Sequence, residues 1–326
     1  MLDRLGTTLR LPSNSPSITD HPQLAVDRDP FPRAEQPPSL INQDSVARKM
    51  GLQHQVFFSK RDSATRTGPA GSDHLRWVPT SSTLIYGERD AILVDTQLTV
   101  KAAEELTDWV IASGKNLVGI YVTHAHGDHH FGSSALLRHF PSAKIWATRE
   151  VAARMDNEHT PERLQGLWEK LFPGQIPDAF ASAEALPKDE LELEGEKLIV
   201  VRLGHTDCDE TTALWVPSTG LLVAGDAVYG NTHPYLGESG TLESRLAWIA
   251  ALDKLAALNP SVVVGGHSDP DSSFGPDAIR ETRTYLEDFN RTAESQTAEN
   301  IYSHMMELYP ARLNPGSLWA GVVKLG

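Results

Sequence analysis

The most informative stretch of the chain covers residues 121–132 and reads Tyr121-Val122-Thr123-His124-Ala125-His126-Gly127-Asp128-His129-His130-Phe131-Gly132. Within it lie four side chains that can bind a metal ion, namely His124, His126, Asp128 and His129. Residues 116–122 are apolar and β-rich, which predicts a buried strand, and residues two apart on a strand point to the same side. His124 and His126 can therefore chelate one ion at the end of this strand. The turn at Gly127 then directs the next two ligands towards a neighbouring position.

A polar loop with merely solvated histidines is the alternative interpretation of this stretch. A lone histidine would favour that alternative, but four ligands at this spacing favour a metal site, because crowded imidazoles repel one another when protonated and need partners when buried. Three more candidates follow, His205, Asp226 and His267, and each comes after an apolar strand and a glycine. Ligands at the strand ends of a rigid sheet are typical of α/β scaffolds.

The order His-x-His-x-Asp-His, followed by His, Asp and His, resembles the signature of the metallo-β-lactamase superfamily over about residues 75–270. The resemblance implies an α/β fold, a four-layer αββα sandwich of metallo-β-lactamase type, with metals at one edge between two sheets. It assigns His124, His126 and His205 to a first ion. It assigns Asp128, His129 and His267 to a second ion, and it makes Asp226 the bridge between the two ions. Imidazole and carboxylate ligands without a thiolate suit two Zn²⁺ ions, with iron or manganese as alternatives.

Three nearby residues are not assigned as ligands. Asp95 ends a strand where the superfamily carries an aspartate, but Gln97 stands where the superfamily usually has a glycine, so Asp95 is interpreted as a supporting or structural residue. Cys208 is interpreted as a packing residue, because in the β-lactamase subclasses with a metal-binding cysteine that cysteine occupies the position of Asp226. His130 replaces the usual apolar residue after the motif and either supports a ligand or is exposed.

The resemblance also implies a mechanism, in which a metal-bridging hydroxide attacks a carbonyl carbon. Asp128 would orient the hydroxide or relay its proton. The run Asp226-Ala227-Val228-Tyr229 has a spacing that resembles the acyl-homoserine-lactone lactonases of the superfamily, where the tyrosine points at the substrate carbonyl. Tyr229 is therefore predicted to donate a hydrogen bond to the developing oxyanion. The alternative is that Tyr229 packs against the next strand.

Residues 160–182 lie between fold elements, where the superfamily often has an insertion that roofs the active site. Trp168 and Phe172 of this insertion either line such a roof or pack in the core. With His233 and Tyr235 they would make an apolar, partly aromatic pocket. Such a pocket suits a compact ring better than a long anionic thioester, which needs basic residues that the sequence does not locate.

The predicted function is therefore a binuclear zinc hydrolase that opens a lactone or lactam ring of a small-molecule substrate. Thioester hydrolysis of glyoxalase II type is the first alternative. A mononuclear iron persulfide dioxygenase, a nucleic-acid processor of the same superfamily and a non-catalytic metal-binding protein are the others. Metal analysis separates the dioxygenase, with one iron, from the hydrolase.

The composition limits the partners and the location. The 326 residues carry a net charge of −14, and this acidic balance argues against a nucleic-acid partner and against a membrane-surface role. Cys208 is the only cysteine, so no intrachain disulfide can form. No run is long and apolar enough to span a bilayer, and residues 1–10 contain no apolar core of a secretory signal. A cytoplasmic enzyme is therefore expected.

Two regions differ in composition. Residues 1–45 are rich in Pro and Ser and show no periodicity, which predicts an extended N-terminal arm; this arm is a candidate contact in a homodimer. Residues 46–326 are expected to form the hydrolase domain, with strands and helices alternating in two halves. Its predicted hairpin pairs residues 83–86 with residues 91–94. Its predicted helices include residues 100–113, 242–258, 277–292 and 294–308.

Overall fold

The computed structural model describes residues 51–65, 68–69, 77–294 and 296–325, and the predicted arm at 1–45 lies outside them. Within these residues, two β-sheets pack face to face. The strands of the first sheet are, in spatial order, β1 (Gln53–Asp62), β2 (Trp77–Tyr86), β3 (Asp90–Val94), β4 (Asn116–Tyr121), β5 (Lys144–Ala147) and β6 (Glu184–Ala185). Those of the second sheet are, in spatial order, β11 (Val262–Ser268), β10 (Leu221–Gly230), β9 (Thr211–Val216), β8 (Glu196–Gly204) and β7 (Glu190–Leu193).

Both sheets mix antiparallel and parallel pairs. In the first sheet β1, β2 and β3 pair antiparallel, and β3 to β6 run parallel. The predicted hairpin is present, with Thr83 opposite Val94. In the second sheet β7 to β10 pair antiparallel, and β10 runs parallel to β11. The parallel pairs require crossovers, and helices supply them.

The helices lie on the outer faces of the two sheets and along the edge that carries the candidate ligands. They are α1 (Val100–Ala112), α2 (Gly127–His130), α3 (Ser133–His139), α4 (Arg149–Glu158), α5 (Pro161–Arg163), α6 (Glu169–Leu171), α7 (Leu242–Ala257), α8 (Asp277–Ala293), α9 (Ala298–Leu308) and α10 (Pro315–Val322). A π-helical turn, Leu164–Trp168, connects α5 to α6. None of the helices in the described ranges combines the length and the apolar character needed to cross a membrane.

Three sets of buried apolar side chains hold the layers together. The set between the two sheets includes Ile85, Ile92, Tyr121, Leu214, Val223 and Val264. The set between the first sheet and α1, α3 and α4 includes Leu93, Ile120, Leu106, Leu136 and Met155. The set between the second sheet and α7 to α10 includes Leu222, Val263, Trp248, Tyr285, Ile301 and Leu318. Each large side chain buried in this way contributes about 1.5–3 kcal/mol of transfer free energy. The fold is a four-layer αββα sandwich, as predicted.

Local sequence determines where several helices begin. Thr99 caps α1 by accepting a hydrogen bond from the backbone N–H of Ala102, and Thr241 caps α7 in a reciprocal capping box. Thr160 caps α5, and Pro161 occupies its first turn. The segment from α5 to α6 therefore starts where the sequence predicts, next to the edge of the sandwich that carries the candidate ligands.

Candidate metal centre

The candidate ligands converge from both sheets at one edge of the sandwich. The motif at residues 124–130 follows β4 and continues into α2, while Asp226 lies in β10 and His267 in β11. The register of β10 against β11 is irregular around Asp226, and such bulges re-aim side chains at a sheet rim. A side chain at Gly266 would collide with Oδ1 of Asp226 and with the ring of His129. Glycine at this position therefore makes room for the cluster.

The three predicted ligands of the second ion lie together around Asp226. Nε2 of His129 lies 3.2 Å from Oδ1 of Asp226, and Nε2 of His267 lies 3.2 Å from Oδ2 of the same carboxylate. Nε2 of His267 also lies 3.4 Å from Oδ2 of Asp128. All four side chains are buried. The structure therefore brings these four residues into one group.

The predicted ligands of the first ion are brought together only in part. The rings of His124 and His126 lie side by side, with 5.0 Å between their centroids. A third residue, Asp207, faces both rings. Its Oδ2 lies 3.0 Å from Nδ1 of His126 and 3.6 Å from Nε2 of His124. The sulfur of Cys208 belongs to the same group, in which all ligand atoms lie within 4.8 Å of one another.

The position of His205 corrects the assignment carried over to it. Its Nδ1 is hydrogen-bonded to Oδ1 of Asp209 at 2.6 Å, and its Nε2 to Oγ of Ser239 at 2.9 Å. The chain leaves β8 at Gly204 with φ +84°, a conformation that favours glycine. After this turn, Asp207, which lies two residues beyond His205, faces the other ligands. His205 therefore lies outside the group that it was expected to complete.

Each histidine of the cluster is hydrogen-bonded through the ring nitrogen that points away from it. The pairs are His124 Nδ1 with Thr123 Oγ1 at 3.0 Å, His126 Nε2 with Glu238 Oε1 at 3.1 Å, His129 Nδ1 with Asp95 Oδ2 at 2.9 Å, and His267 Nδ1 with the carbonyl oxygen of Pro79 at 2.6 Å. Carboxylate and carbonyl oxygens only accept hydrogen bonds, so the outer nitrogen carries the proton. In the neutral imidazole each inner nitrogen presents a lone pair, the form that binds a metal ion. Without a metal ion, the neighbouring acidic groups outweigh burial and raise the pKa of His126, His129 and His267.

Asp95 supports this arrangement, as the sequence suggested. Its Oδ1 accepts a hydrogen bond from the backbone N–H of Thr123, and its Oδ2 accepts one from the Thr123 hydroxyl at 2.7 Å. Because that hydroxyl donates to Asp95, its oxygen is left to accept the proton of His124. Through Oδ2 the same carboxylate also holds His129. One buried aspartate therefore orients two histidines.

The cluster of candidate ligands fits divalent cations. Four of its buried atoms have no hydrogen-bond partner among the described residues: Nε2 of His124, Nε2 of His129, Oδ2 of Asp207 and Oδ1 of Asp226. Leaving buried polar atoms unpaired is costly. Ligands held at 2.0–2.1 Å by a tetrahedral zinc ion lie about 3.3 Å apart, which is close to the separations within the group. Nitrogen and oxygen donors of this kind suit zinc, iron or manganese.

Charges around the group keep its carboxylates ionised. Nη2 of Arg61, in β1, lies 2.6 Å from Oδ2 of Asp128. Burial alone would raise the pKa of Asp128, but the Arg61 guanidinium and His129 outweigh burial and hold that pKa well below its usual range. Burial would also raise the pKa of Asp226, but His267 and His129 outweigh burial there too and lower that pKa. Both groups are therefore anionic at neutral pH, the form that binds cations.

The position of Tyr229 corrects a second expectation. Its hydroxyl donates a hydrogen bond of 2.7 Å to Oδ2 of Asp226, and its ring packs against Trp248 and His267. The side chain is fully buried. The bulged end of β10 turns the ring into the core instead of towards a substrate. Tyr229 therefore positions Asp226 and does not reach the cavity as an oxyanion donor.

Two further residues had alternative interpretations. His130 is buried and not exposed: its Nδ1 is hydrogen-bonded to the carbonyl oxygen of His126 and its Nε2 to Nε2 of His159, both at 3.0 Å. Cys208 is also buried, and its thiol lies 3.6 Å from the carbonyl oxygen of Asp209. Burial raises the pKa of the Cys208 thiol. His130 thus supports the backbone of the motif, and Cys208 packs beside the ligands.

A cavity of about 220 Å³ lies over the cluster. The ligands that line it are His126, Asp128, Asp226 and His267. The insertion at residues 160–182 contributes to its wall Leu167, Trp168, Leu171 and Phe172. Tyr235 lines the cavity as expected, whereas His233 is buried away from it and hydrogen-bonded to the hydroxyl of Tyr285. The insertion therefore covers the cluster with an apolar, partly aromatic surface.

The cavity also carries cations that the sequence did not locate, namely Arg61, Arg163 and Lys324. Arg163 pairs with Glu158 at 2.6 Å. The ammonium of Lys324 donates a hydrogen bond of 3.0 Å to the hydroxyl of Tyr235. The expectation of a pocket without basic residues is therefore wrong, and the cavity can receive an anionic group.

The comparisons with known proteins agree with this architecture. The family model of the metallo-beta-lactamase superfamily matches residues 75–267, more than half of the chain. The chain belongs to the metallo-β-lactamase superfamily. Members of this superfamily are generally hydrolytic metalloenzymes, and the chain carries His/Asp clusters able to hold a metal. No curated protein matches the chain.

Solved structures show the same fold at low identity. A metallo-β-lactamase family protein from Thermus thermophilus is 22% identical, with a TM-score of 0.55 over 82% of this chain and 91% of that one. A metallo-β-lactamase from Pontibacter korlensis is 17% identical, with a TM-score of 0.51 over 73% and 99%. The metallo-β-lactamase FIM-1 from Pseudomonas aeruginosa, in its mono-zinc form, is 16% identical, with a TM-score of 0.51 over 72% and 91%.

Two candidate functional residues were not predicted from the sequence, Arg61 and Asp207. Arg61 reaches Asp128 from 67 residues away, and no local pattern announces such a contact. Asp207 did carry a signal, because an acidic residue two positions after His205 is a second potential ligand in the same turn. The superfamily pattern drew attention to the histidine alone.

Proposed function

We propose that the chain is a metal-dependent hydrolase that opens a lactone or lactam ring. The observation that carries the proposal is a pair of neighbouring ligand groups at the cavity, with 4.1 Å between the ring centroids of His124 and His129. One group is His124, His126 and Asp207, and the other is Asp128, His129, His267 and Asp226. Two neighbouring sites of this kind support binuclear hydrolysis, with Asp226 as the proposed bridge and two Zn²⁺ ions as the proposed occupants.

The chain's own residues have distinct tasks in this proposal. Divalent ions bound there would supply an activated water near neutral pH and a Lewis acid for the carbonyl oxygen. Asp128, kept ionised by Arg61, would accept a hydrogen bond from the attacking water. Its low pKa makes it a weak base, so its task is to orient the water more than to carry its proton. Tyr229 holds Asp226 in place from the core side.

The size of the cavity supports a compact substrate. Pockets for drug-sized ligands measure about 300–1,000 Å³, and this cavity is about 220 Å³. Leu167 and Leu171 give one wall an apolar surface, which suits the carbon skeleton of a ring. Trp168 and Phe172 also border the cavity, but both are buried and pack in an apolar cluster with Phe131. A small cyclic ester or amide therefore fits better than a long flexible chain.

The cations of the cavity are also compatible with one alternative, the hydrolysis of an anionic thioester. Arg163 is already paired with Glu158, whereas Lys324 lies at the surface and contacts Tyr235. Lys324 is therefore the cation best placed to meet a carboxylate on a substrate. A lactone or lactam with one anionic substituent would use the same contact, so charge alone does not decide between ring and thioester.

A hydrolysis panel tests the proposal. The full chain, loaded with Zn²⁺, would be assayed against γ-lactones, β-lactams, open-chain thioesters and phosphodiesters, each with and without a carboxylate. We expect turnover of rings. Lys324→Met should raise KM for carboxylate-bearing rings only, and Lys144→Met, which breaks a surface pair with Glu184, is the matched control. Turnover of thioesters alone would replace ring opening by the alternative, and turnover of no carbonyl substrate would refute hydrolysis of this class.

Association and location stay predictions from the sequence. We propose a homodimer formed through residues 1–45, which lie outside the described residues, and a cytoplasmic enzyme without nucleic-acid or membrane partners. Analytical ultracentrifugation of the full chain, compared with residues 46–326, tests the first point. An unchanged mass would remove the arm from the interface.

A further inference from the structure

The loop after β8 offers two candidate ligands, and their surroundings differ. Asp207 is buried, whereas His205 is partly exposed, with 18% of its side chain accessible. Oδ1 of Asp207 accepts a hydrogen bond of 2.9 Å from the hydroxyl of Thr206. Its Oδ2 accepts no hydrogen bond of regular geometry within the described part of the chain, and it lies 3.0 Å from Nδ1 of His126. An ionised oxygen left unpaired in the interior is costly unless a cation compensates it.

The atoms opposite Oδ2 of Asp207 are those of ligands. Nε2 of His124 is buried and unpartnered in the described ranges, and it lies 3.6 Å from that oxygen. Nδ1 of His126 lies 3.0 Å from the same oxygen. Two nitrogens and one carboxylate oxygen thus face a common point.

His205 lacks this relationship. Both of its ring nitrogens are hydrogen-bonded, one to Asp209 and one to Ser239. The Ser239 hydroxyl in turn donates to the carbonyl oxygen of Thr206, which ties the His205 ring to the backbone of the loop. No lone pair of His205 is therefore directed at the two histidines.

We propose that the first ion is held by Nε2 of His124, Nδ1 of His126 and Oδ2 of Asp207, and that His205 is not a ligand. This inference rests on the proposed function, since it presupposes that the cluster binds metal. Two histidines and one carboxylate bind zinc in some hydrolases and ferrous iron in many oxygenases. Replacing an imidazole by a carboxylate adds one negative charge to the site, which strengthens its attraction for a divalent cation.

Metal content separates this assignment from the superfamily's. We would measure zinc per chain by mass spectrometry, after equilibration with a weak chelator, in the full-length wild type, Asp207→Asn, His205→Asn and Cys208→Ala. We expect about two ions in the wild type, His205→Asn and Cys208→Ala, and about one in Asp207→Asn. The first ion should bind at least 10–100-fold more weakly in Asp207→Asn, because even loss of a residue that only supports a ligand has that effect.

The outcomes that oppose the inference are distinct from failure of the proposed function. A wild type without bound metal would refute the proposed function itself. The assignment of Asp207 would be overturned if Asp207→Asn still bound two ions. It would also be overturned if Cys208→Ala bound only one ion. If both Asp207→Asn and His205→Asn lose an ion, a signal that does not depend on affinity decides which of the two residues is the ligand.

That signal is the charge-transfer absorption of a thiolate bound to Co²⁺. In a Cys208→Ala background, Asp207→Cys and His205→Cys would each be loaded with Co²⁺, and circular dichroism would verify that both variants fold. The inference predicts a near-ultraviolet thiolate band in Asp207→Cys and none in His205→Cys. A band in His205→Cys, or no band in either variant, would overturn it.

Discussion

Nη2 of Arg61 donates a hydrogen bond of 2.6 Å to Oδ2 of Asp128, which joins β1 of the first sheet to α2 in the candidate metal centre. The guanidinium also lies over the ring of Phe172, 5.6 Å from its centroid. Arg61 is therefore fixed between the ligand cluster and the insertion that covers the cavity. A charge held so close to Asp128 determines both the protonation and the direction of that carboxylate.

Replacing Arg61 should impair turnover more than metal loading. In Arg61→Met the carboxylate of Asp128 loses the partner that orients it, and we expect kcat to fall by about 10–100-fold, as for residues that support metal ligands. Zinc content should stay near the wild-type value, because the other ligands remain. Arg163→Met is the matched control, since Arg163 lines the same cavity but pairs with Glu158. Equal losses in the two variants would show that only the general positive charge of the cavity matters.

Tyr229→Phe should weaken metal binding. The hydroxyl of Tyr229 holds Oδ2 of Asp226, and without it this carboxylate, the proposed bridge, is less well oriented. We expect the affinity for the more weakly held ion to fall by about 10–100-fold, measured by competition with a chromogenic chelator. Tyr302→Phe is the control, because Tyr302 lies on α9 and its ring packs against Trp319 of α10 and not against a candidate ligand. Unchanged chelator resistance in Tyr229→Phe, with a lower kcat alone, would restore the oxyanion-donor hypothesis.

His233 should make the fold sensitive to acid. Burial, together with the charge of Arg312, lowers the pKa of His233 to about 3, whereas a histidine in the unfolded chain titrates near 6.5. The unfolded state therefore binds a proton that the folded state refuses. The free energy of unfolding should fall as the pH drops from about 6.5 towards about 3, by at most about 1.4 kcal/mol per pH unit from this group.

His233→Gln tests that contribution. Urea unfolding of the metal-free chain would be followed between about pH 4.5 and pH 7, a window chosen to bracket the histidine transition. The variant should lose stability less steeply on acidification than the wild type. His304→Gln, at an exposed position on α9, should leave the slope unchanged. Parallel slopes for the wild type and His233→Gln would contradict the prediction.

Elements with strong local signals were predicted closely. The helix expected at residues 100–113 is Val100–Ala112, and the one expected at 277–292 is Asp277–Ala293. The hairpin expected between residues 83–86 and residues 91–94 is present, with Thr83 opposite Val94. Caps and apolar periodicity act within a few residues, so the sequence displays them directly.

The site was predicted where it depends on strand ends and missed where it depends on loops. Asp226 and His267 follow apolar runs that end at the sheet edge, and the structure places both in the cluster. The turn at Gly204 determines whether His205 or Asp207 faces inward. The spacing of the ligands in the sequence does not encode that turn. The direction of the Tyr229 ring depends on the bulge in β10, which arises from pairing with a strand distant in the sequence.

The cluster around Asp226 is proposed to hold two divalent ions that serve hydrolysis. The most direct measurement is the metal content of the purified full-length chain and of Asp226→Ala, together with hydrolysis and oxygen consumption before and after chelation. We expect about two zinc ions per wild-type chain, hydrolysis that chelation abolishes and Zn²⁺ restores, and the loss of both metal and activity in Asp226→Ala. One iron per chain with consumption of oxygen, or full activity of Asp226→Ala, would contradict it.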